Sequence, residues 1–193
     1  MFRDSFPDGV AREAYLAEIG FRDWNMAADR GTSWADNVAA LQRRLGPRAH
    51  PAVLYPDRFA DSIRDPIEGS WDLLERLRDG GHAIWAITNF SAESWPVAVA
   101  LHPRLGRAFQ DVIVSGRERV AKPDAAIYRL LTARHALDPA ACLFIDDSAE
   151  NVAGARAVGM QAVRFTDPAA LGRALVARGL LAPDAGLGDG SDD

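Results

Sequence analysis

The stretch "CLFIDDSAENVAGA", residues 142–155, decides the fold. Cys142, Leu143, Phe144 and Ile145 make a short apolar run, the signature of a buried strand, and the run stops on two adjacent carboxylates, Asp146 and Asp147. The small residues that follow suit a helix, with Asp147 and Ser148 both placed to cap a start near Ala149. Two neighbouring acids at the end of a buried strand repel each other and resist desolvation. No Lys or Arg stands close by in sequence to neutralise them, so a compensating cation is expected, and a hard metal ion is the leading candidate.

Working outward, three more runs share this character: "HAIWAIT" (82–88), "DVIVS" (111–115) and "QAVRF" (161–165). Helical patterns separate them near 93–101, 124–136 and 149–158, and a helix over 69–79, "GSWDLLERLRD", precedes the first and closes on Gly80-Gly81. Strands alternating with helices predict an α/β fold with a doubly wound, parallel, Rossmann-like sheet. The first third differs. "DGVAREAYLAEIGF", "SWADNVAALQRRLG" and "HPAVLYPDRFADSI" place apolar residues at helical spacings, with Ser33 as an N-cap and Gly46-Pro47 as a stop, and no strand pattern precedes about residue 82. Pro66 and Gly69 in "RDPIEGS" interrupt the helical pattern. The expected organisation is a helical cap over 1–66, an α/β core over 67–181 and a disordered, acidic, Gly-rich tail over 182–193.

The totals narrow the classes. In 193 residues, 48% are hydrophobic, enough for one well-cored domain. A formal charge of -5 with dispersed basic residues argues against a nucleic-acid or anionic-membrane surface. The single cysteine, Cys142, lies inside an apolar run and reads as a small core residue, which suits a reducing compartment. The start, "FRDSFPDG", has neither the basic beginning nor the apolar block of a signal peptide, and no apolar run approaches the ~20 residues of a membrane span. A cytoplasmic protein is expected.

In open parallel sheets ligands bind beyond the carboxyl ends of the strands. Those ends carry Thr88 and Asn89, Ser115 and Gly116, and Asp146 and Asp147, while Lys122 in "AKPDAAIY" stands on a loop at the same face, just before Pro123, a residue that can start a helix. A hydroxyl, an amide, an ammonium and two carboxylates suit a phosphoryl group beside Mg²⁺. Each residue also has a plain reading: a β-branched strand end for Thr88, a turn former for Asn89, a solvated lysine for Lys122, a helix cap for Asp147 or Ser148. Their joint occurrence, in order and on one face, is what separate coincidences do not supply. The four histidines show no metal-ligand spacing, and the tryptophans read as packing residues.

"AITNFS" (86–91), "AKPDAAIY" (121–128) and "LFIDDSAENVAGARAVGM" (143–160) resemble the second, third and fourth motifs of the haloacid dehalogenase superfamily, and the helical first third resembles the cap that one branch inserts after its first strand. The resemblance implies that Thr88 binds the phosphoryl group, that Lys122 stabilises it and the nucleophile, that Asp146 and Asp147 ligate Mg²⁺ directly or through water, and that Asn89 and Ser148 support them. Cap residues Trp24, Asn25 and Trp34 would either face the substrate or pack the cap's own core. The adjacent acids of "FIDDS" are similar to the metal-dependent phosphatase form. The implied activity is hydrolysis of a small phosphorylated metabolite, with homo-oligomerisation left open.

The family's first motif is an apolar strand ending in Asp-x-Asp, whose first Asp is the nucleophile. This sequence has no such motif: Asp4 and Asp8 follow no apolar strand and have the wrong spacing. In the family's fold that strand lies between the counterparts of "HAIWAI" and "CLFI", and without it these would stand about 10 Å apart, twice the usual strand spacing of about 4.8 Å. Three expectations follow: a sequence truncated at its N-terminus, a gap closed by rearranged pairing, or a gap filled by a strand of another chain. A catalytically inactive binding protein and a 2-haloacid dehalogenase are the alternative functions.

Overall fold

The computed structural model describes residues 2–6 and 8–183. Most of the predicted tail, 184–193, lies outside the described residues. Helix α1 (Gly9–Ile19) begins where the Asp8 carboxylate accepts the amide hydrogens of Val10 and Ala11, and it stops at Gly20, whose φ of 62° the missing Cβ permits. Helix α2 (Phe21–Asp29) starts immediately afterwards. Helix α3 (Trp34–Leu45) carries the expected Ser33 cap on the Asp36 amide and ends at Gly46. The helix expected over 50–63 is instead one turn, His50–Val53, and a 3₁₀ turn, Phe59–Ser62. Between them stands Pro56, which has no N–H for a helix and clashes with the preceding turn. These segments bury Tyr15, Ile19, Trp24, Trp34, Leu41, Tyr55 and Phe59 in a mostly aromatic cap core.

The α/β part runs α4 (Glu68–Asp79), β1 (Ala86–Thr88), α5 (Trp95–Leu101), β2 (Val112–Val114), α6 (Ala125–Arg134), β3 (Leu143–Asp146), α7 (Ala149–Ala157), β4 (Gln161–Arg164) and α8 (Pro168–Val176). Helices α6 and α7 bury Ile127, Tyr128, Leu131, Val152 and Ala155 against Ile87 and Phe144. On the other side, Leu73 of α4 and Leu171 and Leu175 of α8 pack with Leu143, Ile145 and Val163. This is the helix–sheet–helix layering expected of alternating elements.

Every strand pair is parallel: Ile87 stands opposite Ile113, and Ile145 opposite Val163. The sheet is nevertheless split, since β1 pairs only with β2 and β3 only with β4 among the described residues. Among the described residues β1 and β3 do not pair with each other, so the expected rearranged pairing between "HAIWAI" and "CLFI" is not found. An apolar slot of about 450 Å³ separates the two halves, lined by Trp85, Ile87, Leu143, Ile145, Leu73 and Leu175.

Candidate active site

The ladder geometry places the candidate residues. Both half-sheets run toward one end, where the loops following β1, β2 and β3 meet. Lys122 joins the halves there: its Nζ donates to Asp146 Oδ2 at 2.7 Å and to the Ile87 carbonyl at 2.9 Å. Both side chains of this ion pair are almost fully withdrawn from solvent, at 11% and 6% exposure, which is tolerable only because each charge has its partner. The cation expected beside Asp146 is thus first of all an ammonium from the chain itself. Sequence distance concealed it, since Lys122 reaches Asp146 only through the α/β crossover that brings the two loops together.

The other oxygen of Asp146, Oδ1, accepts from the Ser148 amide and from Asn151 Nδ2, both at 2.9 Å. Ser148 is the N-cap of α7, its hydroxyl accepting the Asn151 amide. The capping reading therefore falls to Ser148, while Asp147 is exposed and its carbonyl accepts from Arg164 Nε at 3.0 Å. Asn151 belongs to the site although it was not among the sequence candidates. The signal that could have found it is an amide five residues after the strand-end Asp146, in the first turn of a helix whose N-terminus points back at that carboxylate.

Asn89 and Lys122 are tied main chain to side chain. Asn89 Nδ2 donates to the Lys122 carbonyl at 2.9 Å and Asn89 Oδ1 accepts the Lys122 amide at 2.8 Å. Helix α6 starts just after Asp124, its N-cap, within a residue of the start expected near 124. Below this loop lies α7, and only a glycine fits at the contact: a Cβ on Gly154 would stand 2.6 Å from the Pro123 carbonyl. Thr88, half-buried, ends β1 beside Asn89.

Ser115 and Gly116 hold the turn after β1. The Phe90 amide donates to Ser115 Oγ at 2.9 Å, the Gly116 amide donates to the Phe90 carbonyl at 3.0 Å, and a Cβ on Gly116 would come within 2.5 Å of the Ala92 nitrogen. From above, the cap grips the same turn. Trp34 donates its indole N–H to Ser94 Oγ at 2.8 Å and its amide to Glu93 at 3.0 Å, and Asp29 accepts from the Ser91 amide. Burial pushes the Asp29 carboxyl up to about 6, against the opposing pull of the Ser91 and Asn25 hydrogen bonds. Asp29 carried no distinguishing mark in the sequence. Trp24 and Trp34 pack the cap core, and Asn25 donates to Asp29 at 3.0 Å.

Comparison with known proteins gives this arrangement its class. A family model for haloacid dehalogenase-like hydrolases matches residues 3–159, and the chain belongs to that family. It is 35% identical over 128 residues to a phosphatase of Mycobacterium tuberculosis, covering 64% of this chain and 56% of that protein. It is 32% identical over 95 residues to a sesquiterpene phosphatase of Aspergillus oryzae, 49% of this chain and 48% of the relative. It is also 28% identical over 179 residues to phosphoglycolate phosphatase 1 of Pseudomonas aeruginosa, 84% of this chain and 65% of the relative. The chain thus spans between about half and two thirds of these relatives' lengths. Among solved structures, a haloacid dehalogenase family enzyme of Bacteroides thetaiotaomicron, in complex with magnesium and inorganic phosphate, superposes with a TM-score of 0.61 at 19% identity, covering 80% of this chain and 84% of that one. An L-2-haloacid dehalogenase of Xanthobacter autotrophicus gives 0.59 at 23%, covering 94% and 76%. At these identities the structural likeness speaks for the fold.

Proposed function

We propose that this hydrolase is a Mg²⁺-dependent phosphatase of a small phosphorylated metabolite, working through an aspartyl-phosphate whose nucleophilic Asp comes from outside these 193 residues. The observation that carries the reading is the buried Lys122–Asp146 pair at the strand ends, with Thr88 at the end of β1 and the exposed Asp147 beside it. The names of the curated relatives support phosphatase over dehalogenase.

The donor set fits Mg²⁺, which binds through one or two carboxylates and keeps its remaining positions for water and phosphate oxygens. Asp147 is open to solvent, and Asp146 has one oxygen on Lys122 and the other on Ser148 and Asn151, so Asp147 supplies the free carboxylate and Asp146 the oriented one. When bound, the ion neutralises phosphoryl oxygens and favours attack at phosphorus. The chain's own residues do the rest. The Thr88 hydroxyl donates to a phosphoryl oxygen, and the Lys122 ammonium stabilises the charge that builds as the carboxylate–phosphorus bond forms and the ester bond breaks. Asn89 fixes the main chain of Lys122, so its part is positioning. The second Asp of the same external motif would give a proton to the leaving alkoxide and then take one from the water that cleaves the acyl phosphate to inorganic phosphate and the free carboxylate.

Calorimetry with Mg²⁺ and inorganic phosphate tests the site without requiring turnover. Joint binding is expected, with Mg²⁺ binding lost in Asp147→Asn; a folded sample that takes up neither would end the proposal. Hydrolysis should be absent from the 193 residues alone and present when an apolar strand ending in Asp-x-Asp precedes them. Equal hydrolysis by both would refute the external nucleophile.

A further inference from the structure

Contacts from the cap converge on one short segment of the core, residues 90–94, in the turn that follows Thr88 and Asn89. The Phe59 ring meets the Phe90 ring edge to face, with centroids 5.2 Å apart. Trp34 donates its indole N–H to Ser94 and its amide to Glu93. The Asp29 carboxylate, at the end of α2, accepts the Ser91 amide. Asp29 and Ser91 are both buried, at 7% and 3% exposure. Elsewhere the seam carries the exposed Arg22–Glu150 pair and the half-exposed Arg30–Asp124 pair, whose charges stay solvated.

Asp29 differs from the other acids of the seam in being buried without a cation. Its hydrogen-bond partners, the Ser91 amide and the Asn25 side-chain amide, are neutral. Tyr55 faces it from within the cap, and burial pushes that hydroxyl up, so it too stays neutral at ordinary pH. Of the charged groups nearby, Arg30 is taken by Asp124, Arg119 lies against Gly31, and the exposed Glu93 holds the Trp34 amide. None of them pairs with Asp29 among the described residues. His50 is exposed, and His82, His102 and His135 turn to the Leu180 and Ile63 carbonyls and to Asp111. An acid in such a place resists ionisation, because its charged form loses water and gains no counter-charge. Parting the seam at Ser91 would return that water.

We propose that Asp29 is a proton-dependent latch between cap and core: protonated, it holds the Ser91 turn against the cap, and when it ionises the seam opens locally while both regions stay folded. Burial raises the Asp29 carboxyl from 3.8 to about 6, so closure is favoured in full below about 3.8, weakens as pH rises toward about 6 and levels off above it. A difference of that size changes the ratio of closed to open seam on the order of a hundredfold. The turn follows Thr88 directly, so opening also loosens one wall of the proposed phosphoryl site. That consequence rests on the proposed function; the latch does not.

Hydrogen exchange of the full chain tests this, read from about pH 4 to about pH 8 as protection relative to the intrinsic rate at each pH. The reporters are the Ser91 amide, the Trp34 amide and the Trp34 indole N–H, with the amide of the buried Leu131 in α6 as the measure of global unfolding. Expected is lower protection at the seam than at Leu131 at every pH, falling on the order of a hundredfold between about pH 4 and about pH 6.5 and level beyond. In Asp29→Asn, which stays neutral, the seam profile should be flat within about threefold. Glu93→Gln, which removes the other carboxylate at the turn, should keep the wild-type profile. The proposal is overturned by a flat wild-type seam, by a pH dependence that persists in Asp29→Asn or is lost in Glu93→Gln, or by seam protection equal to that of Leu131 throughout, which would assign the effect to global unfolding. If Asp29→Asn does not fold, the wild-type and Glu93→Gln profiles decide. A proton-dependent seam in a sample that binds neither Mg²⁺ nor phosphate upholds the latch while ending the phosphatase reading.

Discussion

The cap and the core are built from comparably apolar sequence, yet one closes on itself and the other does not. In the cap, Tyr55 packs its ring against Phe21, Trp24, Trp34 and Phe59 with centroids 5.3 to 5.9 Å apart, and the buried Trp24 N–H finds the Asn37 carbonyl. In the core, the two-stranded ribbons stand apart, with the Trp85 indole N–H lacking a partner among the described residues and Lys122 bridging one end. Helices complete a core by side-chain packing alone, so the cap needs nothing further. A sheet also needs its ladder, and two strands on each side of a gap leave main-chain groups for which packing is no substitute.

The strongest way to break this contrast is Lys122→Met. It removes the ammonium between the halves and leaves Asp146 buried with no cation, a loss of about 3–5 kcal/mol. Urea unfolding should show it, with the core melting while the aromatic near-UV signal of the cap persists. If cap and core still melt together, the cap is less self-sufficient than its packing indicates. Next is Gly154→Val, whose branched side chain is driven against the Pro123 carbonyl and the Tyr128 hydroxyl. It should cost about 1–3 kcal/mol and, by moving the Lys122 loop, weaken joint Mg²⁺ and phosphate binding in calorimetry.

A third measurement probes the seam between the regions through Asp29. Its folded carboxyl titrates near 6, above the ordinary 3.8, so between those values the folded chain holds more protons than the unfolded one, and stability falls as pH rises. The Asp29 contribution is complete below about 3.8 and is lost as pH rises through about 6. Thermal melts from pH 4 to pH 7 should therefore show wild type losing on the order of 2 kcal/mol relative to Asp29→Asn. A constant difference would contradict the shift. The smallest effect is Arg30→Ala, which breaks the half-exposed 2.8 Å pair with Asp124 across the seam. Less than about 1 kcal/mol is expected, disappearing in high salt, when the same melts are repeated at two salt concentrations.

What could be read from the sequence was whatever local chemistry settles. Ser33, Gly46 and Gly80 marked helix ends, and the four apolar runs contained the four strands. The ladders are shorter than the runs because pairing depends on a neighbour: of residues 82–88 only Ala86–Thr88 join β2. At the site, the strand-end residues were visible as polar stops on apolar runs. Their wiring was not, since the Lys122–Asp146 pair and the Asn89–Lys122 clasp join residues 24 and 33 positions apart. Asp29 was hidden for a similar reason: the main-chain donor it accepts from is the amide of Ser91, a residue of the other region.

The slot also has a volumetric consequence. Unfolding abolishes internal voids, so a protein with an apolar cleft of about 450 Å³ between its ribbons occupies more volume folded than a filled counterpart would. Hydrostatic pressure therefore favours its unfolding. It should act first on the region between the ribbons, whose cleft is larger than the pocket of about 250 Å³ beside Trp24 and Leu41 in the cap.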